Sequence, residues 1–145
     1  MELLQKMLES ETAAQTEAIG RALAEMLRPG DFVAMYGDLG AGKTAFTKGL
    51  ASVLAPGDAI SSPTYTIVNE YRSGKVPFCH FDMYRIEGED DLESIGFYDY
   101  PASAVFAVEW CEKIPFALPD TYYRVTIQKT ESEEKRLITI ERITA

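Results

Sequence analysis

Apolar positions along this chain follow two rhythms. Ile19, Ala22, Leu23, Met26 and Leu27 recur three or four residues apart, the period of one helix face. Thr12-Ala-Ala-Gln15 before them reads as a capping box, and Pro29-Gly30 after them as a stop. Residues 31–36 then form an apolar run of strand length. A second helical stretch covers 45–54 and ends at Pro56-Gly57. Residues 65–71 and 76–81 are rich in β-formers and separated by Ser73-Gly74, which predicts a hairpin. Residues 104–108 are continuously apolar, as in a parallel strand covered on both faces. Residues 124–129 and 136–141 alternate on either side of a charged turn and predict a closing hairpin. Residues 87–94 hold five acids and read as a solvated loop running into a short helix near Leu92 and Ile95.

This order predicts an α/β fold: a mainly parallel sheet flanked by helices, with antiparallel additions. A ligand then belongs at the C-terminal ends of the parallel strands. With 145 residues, 46% of them hydrophobic, the chain is expected to form a single domain over 1–145.

The join between the first strand and the second helix carries the chemistry. Residues 37–44 read Gly37-Asp38-Leu39-Gly40-Ala41-Gly42-Lys43-Thr44, the G-x-x-x-x-G-K-[ST] phosphate-binding loop. Glycines let the backbone curl so that its N–H groups face phosphate oxygens, and the helix that follows turns its positive end to the same anion. Lys43 is expected to reach the β- and γ-phosphates, and the Thr44 hydroxyl to bind Mg²⁺. Strand, loop and helix are the context this motif requires.

Such a loop needs a further carboxylate at the end of another strand. Asp82 and Glu109 both qualify, since each follows an apolar run; the alternative for each is a strand-end acid facing water. Ser62-Pro63-Thr64 lies about 20 residues past the loop, where nucleotide switches place a hydroxyl, though by composition alone an ordinary turn is the better reading. His80, the single histidine, reads as a packed, hydrogen-bonded residue and not as a catalyst. Trp110 suits a base stack, a protein interface or the core. The guanine-reading N-K-x-D and the D-x-x-G motif are both missing, which weakens a GTPase reading and favours ATP or loose base selectivity.

Charge changes the picture of partners. The formal net charge of −9 argues against the chain gripping a nucleic acid unaided. Two cysteines make neither a disulfide framework nor a zinc site and suit a reducing cytosol. The first residues lack the basic and apolar regions of a secretory signal, and no run approaches a membrane span, so a cytoplasmic protein without membrane contact is expected.

Taken together, residues 37–44, Ser62-Pro-Thr-Tyr65, His80-Phe-Asp-Met-Tyr-Arg85 and Val108-Glu-Trp110 resemble the TsaE family in order and spacing. These are small bacterial P-loop ATPases of tRNA threonylcarbamoyladenosine (t6A) modification. Thr16-Glu-Ala-Ile-Gly20 and Arg136 fit as well, and the likeness spans nearly the whole chain. The resemblance implies ATP or ADP bound with Mg²⁺ by residues 37–44, Thr64 at the switch position, and Asp82 and Glu109 organising the metal and the attacking water. It places Trp110 near the nucleotide or a partner surface, with Thr16 and Arg136 lining base or ribose. Arg85 is assigned here to developing phosphate charge. Ala45 and Cys111 depart from the family's usual Thr and Pro. Partners implied are TsaB and TsaD, which transfer threonylcarbamoyl to adenosine 37 and carry most of the tRNA contact. Two rival readings are a small P-loop kinase of a metabolite and a non-catalytic ATP-dependent switch. The kinase usually has an arginine-rich lid, whereas the seven arginines here are scattered singly.

Overall fold

The structure, a computed structural model, describes residues 3–37, 42–58 and 68–144. One sheet contains β1 (Leu3–Ser10), β2 (Phe32–Tyr36), β3 (Val68–Tyr71), β4 (Phe78–Asp82), β5 (Val105–Glu109), β6 (Tyr122–Lys129) and β7 (Arg136–Ile143). The spatial order is β1-β7-β6-β2-β5-β4-β3. The central strands β6, β2, β5 and β4 are mutually parallel. Antiparallel pairs extend the sheet at both edges: β3 on β4, and β7 and β1 beyond β6. The fold is therefore the α/β sheet with antiparallel additions that the element order predicts.

Helices α1 (Ala13–Ala24) and α2 (Lys43–Leu54) cover one face. Their Leu23, Phe46 and Leu50 pack with Val33, Met35, Val105, Ala107 and Val125 of the sheet. The other face is covered by α3 (Glu89–Ser94) and short 3-10 turns, with Phe81, Met83, Leu92, Phe97 and Ile114 packed on Phe32, Ala34 and Val108. Strands β2 and β5, lying between these layers, are almost wholly buried, which explains their unbroken apolar sequence. Among the described residues no helix is long and apolar enough to cross a membrane.

Two elements depart from expectation. The N-terminal strand β1 has no apolar alternation to announce it: Lys6, Met7 and Glu9 are exposed, and only Ser10 of its described side chains is buried. The ladder holds it, with eight residues paired from Leu3↔Ile143 to Ser10↔Arg136. The short helix expected near Leu92 forms, but it starts earlier and takes in most of the acids read as loop. Glu89, Asp90 and Asp91 are themselves the first turn of α3, where carboxylates favour the positive end of the helix. Asp91 also accepts the Glu87 N–H at 2.9 Å.

The capping box forms with a shift. Thr12 accepts the Gln15 N–H at 3.2 Å, while the Gln15 side chain accepts from Glu11, one residue before the cap, at 2.7 Å. Glycines then bring α1 and α2 into backbone contact. A Cβ on Gly20 would collide with the Phe46 carbonyl, and one on Gly49 with the Glu17 carbonyl. This close crossing sets the start of α1 beside the start of α2. Gly49→Ala should therefore lower the free energy of unfolding by about 1–3 kcal/mol, read from the urea midpoint. An unchanged midpoint would mean the helices have room to separate.

Candidate functional site

The site is assembled at the C-terminal ends of β2, β5 and β4. Parallel pairing sets Met35 opposite Glu109 and Glu109 opposite Asp82, so both acids stand side by side on the face covered by α1 and α2. On β2 the chain leaves through Gly37, whose φ of +144° and contact with the Ile127 carbonyl leave no space for a side chain. It re-enters described structure at Gly42, left-handed at φ +108°. Asp38, Leu39, Gly40 and Ala41 lie outside the described residues, as do Ser62, Pro63 and Thr64.

Helix α2 starts at Lys43 with Gly42 as its N-cap and no acid in its first turn. Among the described residues, its first N–H groups and its dipole are therefore not answered by a carboxylate of its own. By contrast, α1 is capped by Thr12. Thr44, in the first turn of α2, is exposed, whereas Lys43 is only 5% exposed. The Lys43 ammonium donates to the Gly37 carbonyl at 3.0 Å and stands 4.3 Å from the centre of the Trp110 ring.

Trp110 is held in an unusual way. Its φ of 60° and ψ of 43° make it the one non-glycine residue with positive φ among the described residues. A left-handed tryptophan costs on the order of 1–3 kcal/mol and persists only where its surroundings fix it. Here the ring lies between Lys43 and Tyr84, whose ring centre is 5.0 Å away. Trp110 is therefore half-buried beside Lys43, and its ring is not enclosed in the core.

The acids differ in environment. Asp82 is half-buried, and burial pushes its carboxyl above the ordinary value. The Tyr84 N–H, donating at 2.9 Å, opposes that shift; Glu109 adds to it, while Lys43 and His80 reduce it. Glu109 is 7% exposed, and its Oε2 lies 2.5 Å from Nε2 of His80, which is 1% exposed. Glu109 is thus buried and hydrogen-bonded, whereas Asp82 is only half-buried at its strand end. The pair fits a magnesium ion in donor chemistry, since that ion is usually held by one or two carboxylates together with hydroxyl and phosphate oxygens. Thr44 would complete the protein's share.

Thr16 and Arg136 lie on a second side. The Thr16 methyl is 3.9 Å from the place a Gly42 Cβ would take. Its hydroxyl is buried against the Ser10 hydroxyl at 2.7 Å. Since Ser10 donates to the Thr12 carbonyl, Thr16 is left to donate to Ser10. Ser10 in turn pairs with Arg136 across β1 and β7. The Arg136 guanidinium donates to the Glu133 and Lys135 carbonyls and lines a polar cavity of about 600 Å³ with Glu11, Ser132 and Glu134. Arg85 is exposed, three residues beyond Asp82.

Thiol chemistry plays no part here. Cys79 and Cys111 are buried and unpaired; burial pushes the Cys79 thiol up to about 12 and raises Cys111 as well.

The family described as threonylcarbamoyl adenosine biosynthesis protein TsaE matches residues 10–138. The chain belongs to the TsaE family. A Bacillus subtilis relative named tRNA threonylcarbamoyladenosine biosynthesis protein TsaE is 39% identical over 85% of this chain and 77% of its own. One of the same name from Aquifex aeolicus is 40% identical over 78% of this chain and 81% of its own. The crystal structure of Bacillus subtilis YdiB superposes with a TM-score of 0.78 at 32% identity, covering 99% of this chain and 88% of that one.

Two residues that touch the candidate site are not legible as such in the sequence. Ser10, bonded to Thr16, lies in a strand with no pattern to reveal it. His80 reads as packed and hydrogen-bonded, as the structure has it, but its partner is 29 residues away. Parallel strands ending in Asp82 and Glu109 were the available signal, because His80 then falls one pleat below on the same face.

The raised Asp82 carboxyl gives a stability prediction. A folded state that holds this proton more tightly than the unfolded chain is weakened as pH rises through the folded value. At pH 7, without nucleotide or divalent cation, Asp82→Asn should raise the melting midpoint by a few degrees, since Asn keeps an acceptor for the Tyr84 N–H. The gain should shrink as pH falls and vanish below the unfolded value. A lowered midpoint at pH 7 would show that the charge is already compensated.

Proposed function

We propose that this chain is the ATP-binding, slowly hydrolysing subunit of the t6A machinery. It acts with TsaB and TsaD to drive or reset threonylcarbamoyl transfer to adenosine 37 of tRNA, and does not itself perform the transfer. The observation that carries this reading is the convergence of Lys43, the start of α2, Asp82 and Glu109 at neighbouring strand ends. The t6A names of its relatives give the process.

In this reading residues 37–44 wrap the phosphates, with backbone N–H groups and Lys43 supplying positive charge. Thr44, Asp82 and Glu109 are the residues that would hold Mg²⁺, which supplies charge neutralisation at the phosphate oxygens. Glu109 orients the attacking water. Thr64 takes the switch position, and Arg85, exposed beside the site, reaches toward phosphate charge. Thr16, Trp110 and Arg136 shape the base and ribose side. The negative net charge suits a subunit whose partners carry most of the tRNA contact.

The test is ATP hydrolysis with Mg²⁺ by the chain alone and with the TsaB–TsaD pair. Slow turnover alone, rising at least about tenfold with the pair and lost in Lys43→Ala, is expected. Fast turnover without the pair would return the kinase reading. Glu109→Gln should keep ATP binding but block repeated rounds of modification. Full multiple-turnover modification by that variant would make the chain a switch that needs occupancy alone. Arg85→Lys should reduce turnover more than ATP affinity, because the charge stays while the planar fork is lost. Equal loss of both would remove Arg85 from the chemistry.

A further inference from the structure

His80 lies one pleat below the acids on β4. Its register partner on β5 is Ala107, and Asp82, two residues on, is opposite Glu109. The small Ala107 side chain leaves the imidazole free to lean diagonally to Glu109, a reach that aromatic side chains can span across a strand pair. The contact is made between groups 1% and 7% exposed, and it takes a single carboxylate oxygen, Oε2. Oε1 stays outside this bond.

The other nitrogen carries the argument. Nδ1 of His80 is buried and has no hydrogen-bond partner among the described residues. Leaving a buried polar atom unsatisfied costs free energy, so packing alone would favour an apolar side chain here. A carboxylate only accepts, so Nε2 is the donor and fixes the Glu109 side chain in one orientation. A flexible glutamate would otherwise have to be ordered at each turnover, and a preset one would not.

We propose that His80 is a positioning residue that holds Glu109 through Oε2 so that the carboxylate is preset for ATP hydrolysis. This rests on the role given to Glu109 above.

The side chains available by substitution separate donor from bulk. The Gln amide nitrogen lies as many bonds from Cβ as Nε2 does, so His80→Gln keeps the donor. His80→Phe keeps the ring without it, and His80→Asn places its amide at the level of Nδ1. Each variant would be assayed with the TsaB–TsaD pair for kcat and KM, and alone for ATP affinity and melting midpoint. His80→Phe should fold and bind ATP within about threefold, yet lose about 10–100-fold in kcat, the usual scale for removing a group that orients a ligand. His80→Gln should recover most of that loss and His80→Asn should not. If His80→Phe does not fold, the contrast between Gln and Asn decides alone.

Equal losses in Gln and Asn, or a kcat loss matched by a loss of ATP affinity, would reduce His80 to packing. An increased kcat in His80→Phe would mean that His80 restrains Glu109 instead of presetting it. Glu109→Gln, run beside them, keeps the two ideas apart. If it hydrolyses ATP normally, the role of Glu109 falls. If it is inactive while His80→Phe is fully active, only the positioning role falls.

Discussion

The site depends on the register of β4 against β5. Because these strands are parallel and aligned, Asp82 and Glu109 end side by side, next to the strand that enters the phosphate loop. Carboxylates placed there lose hydration first and repel each other second, and the raised Asp82 carboxyl is the sign of that cost. The fold meets it with Lys43 across the site, the Tyr84 N–H on Asp82 and His80 on Glu109. A slip of one residue in this pairing would send one acid to the opposite face.

The second constraint is the backbone around the loop. Gly37 and Gly42 have conformations that side chains resist, and Gly20 and Gly49 let α1 and α2 meet at backbone distance. Hence Thr16 sits beside Gly42, and through Ser10 the site extends to the strand pair β1–β7. Trp110 adds strain of its own directly after Glu109. Its ring joins Lys43 to Tyr84, so the lysine of the proposed phosphate site is one contact from the surface at Tyr84.

Much of this was legible in the sequence because it is encoded locally. The apolar runs of β2 and β5, the period of α1 and the glycines around Lys43 each follow from a few neighbouring residues. Asp82 and Glu109 were legible as candidates because both end apolar strands. What escaped is set by pairing across the sheet. Strand β1 is held by main-chain bonds that leave no side-chain pattern. The bond between His80 and Glu109 needs two strands to be aligned first. The left-handed turn at Trp110 contradicts the ordinary preference of its residue type and only tertiary contacts can impose it. The acids of α3 misled for a related reason: their charge reads as loop, while their place at a helix start makes them favourable.

Trp110 is the only tryptophan in the chain, so its fluorescence reads the site without a label. The most direct measurement is a titration of that emission with ATP and Mg²⁺ in the wild-type chain and in Lys43→Ala. A nucleotide site built as described gives a saturable change in the wild type, reversed by displacement, and little or none in Lys43→Ala. No saturable change in the wild type, together with no heat of binding by calorimetry, would contradict it.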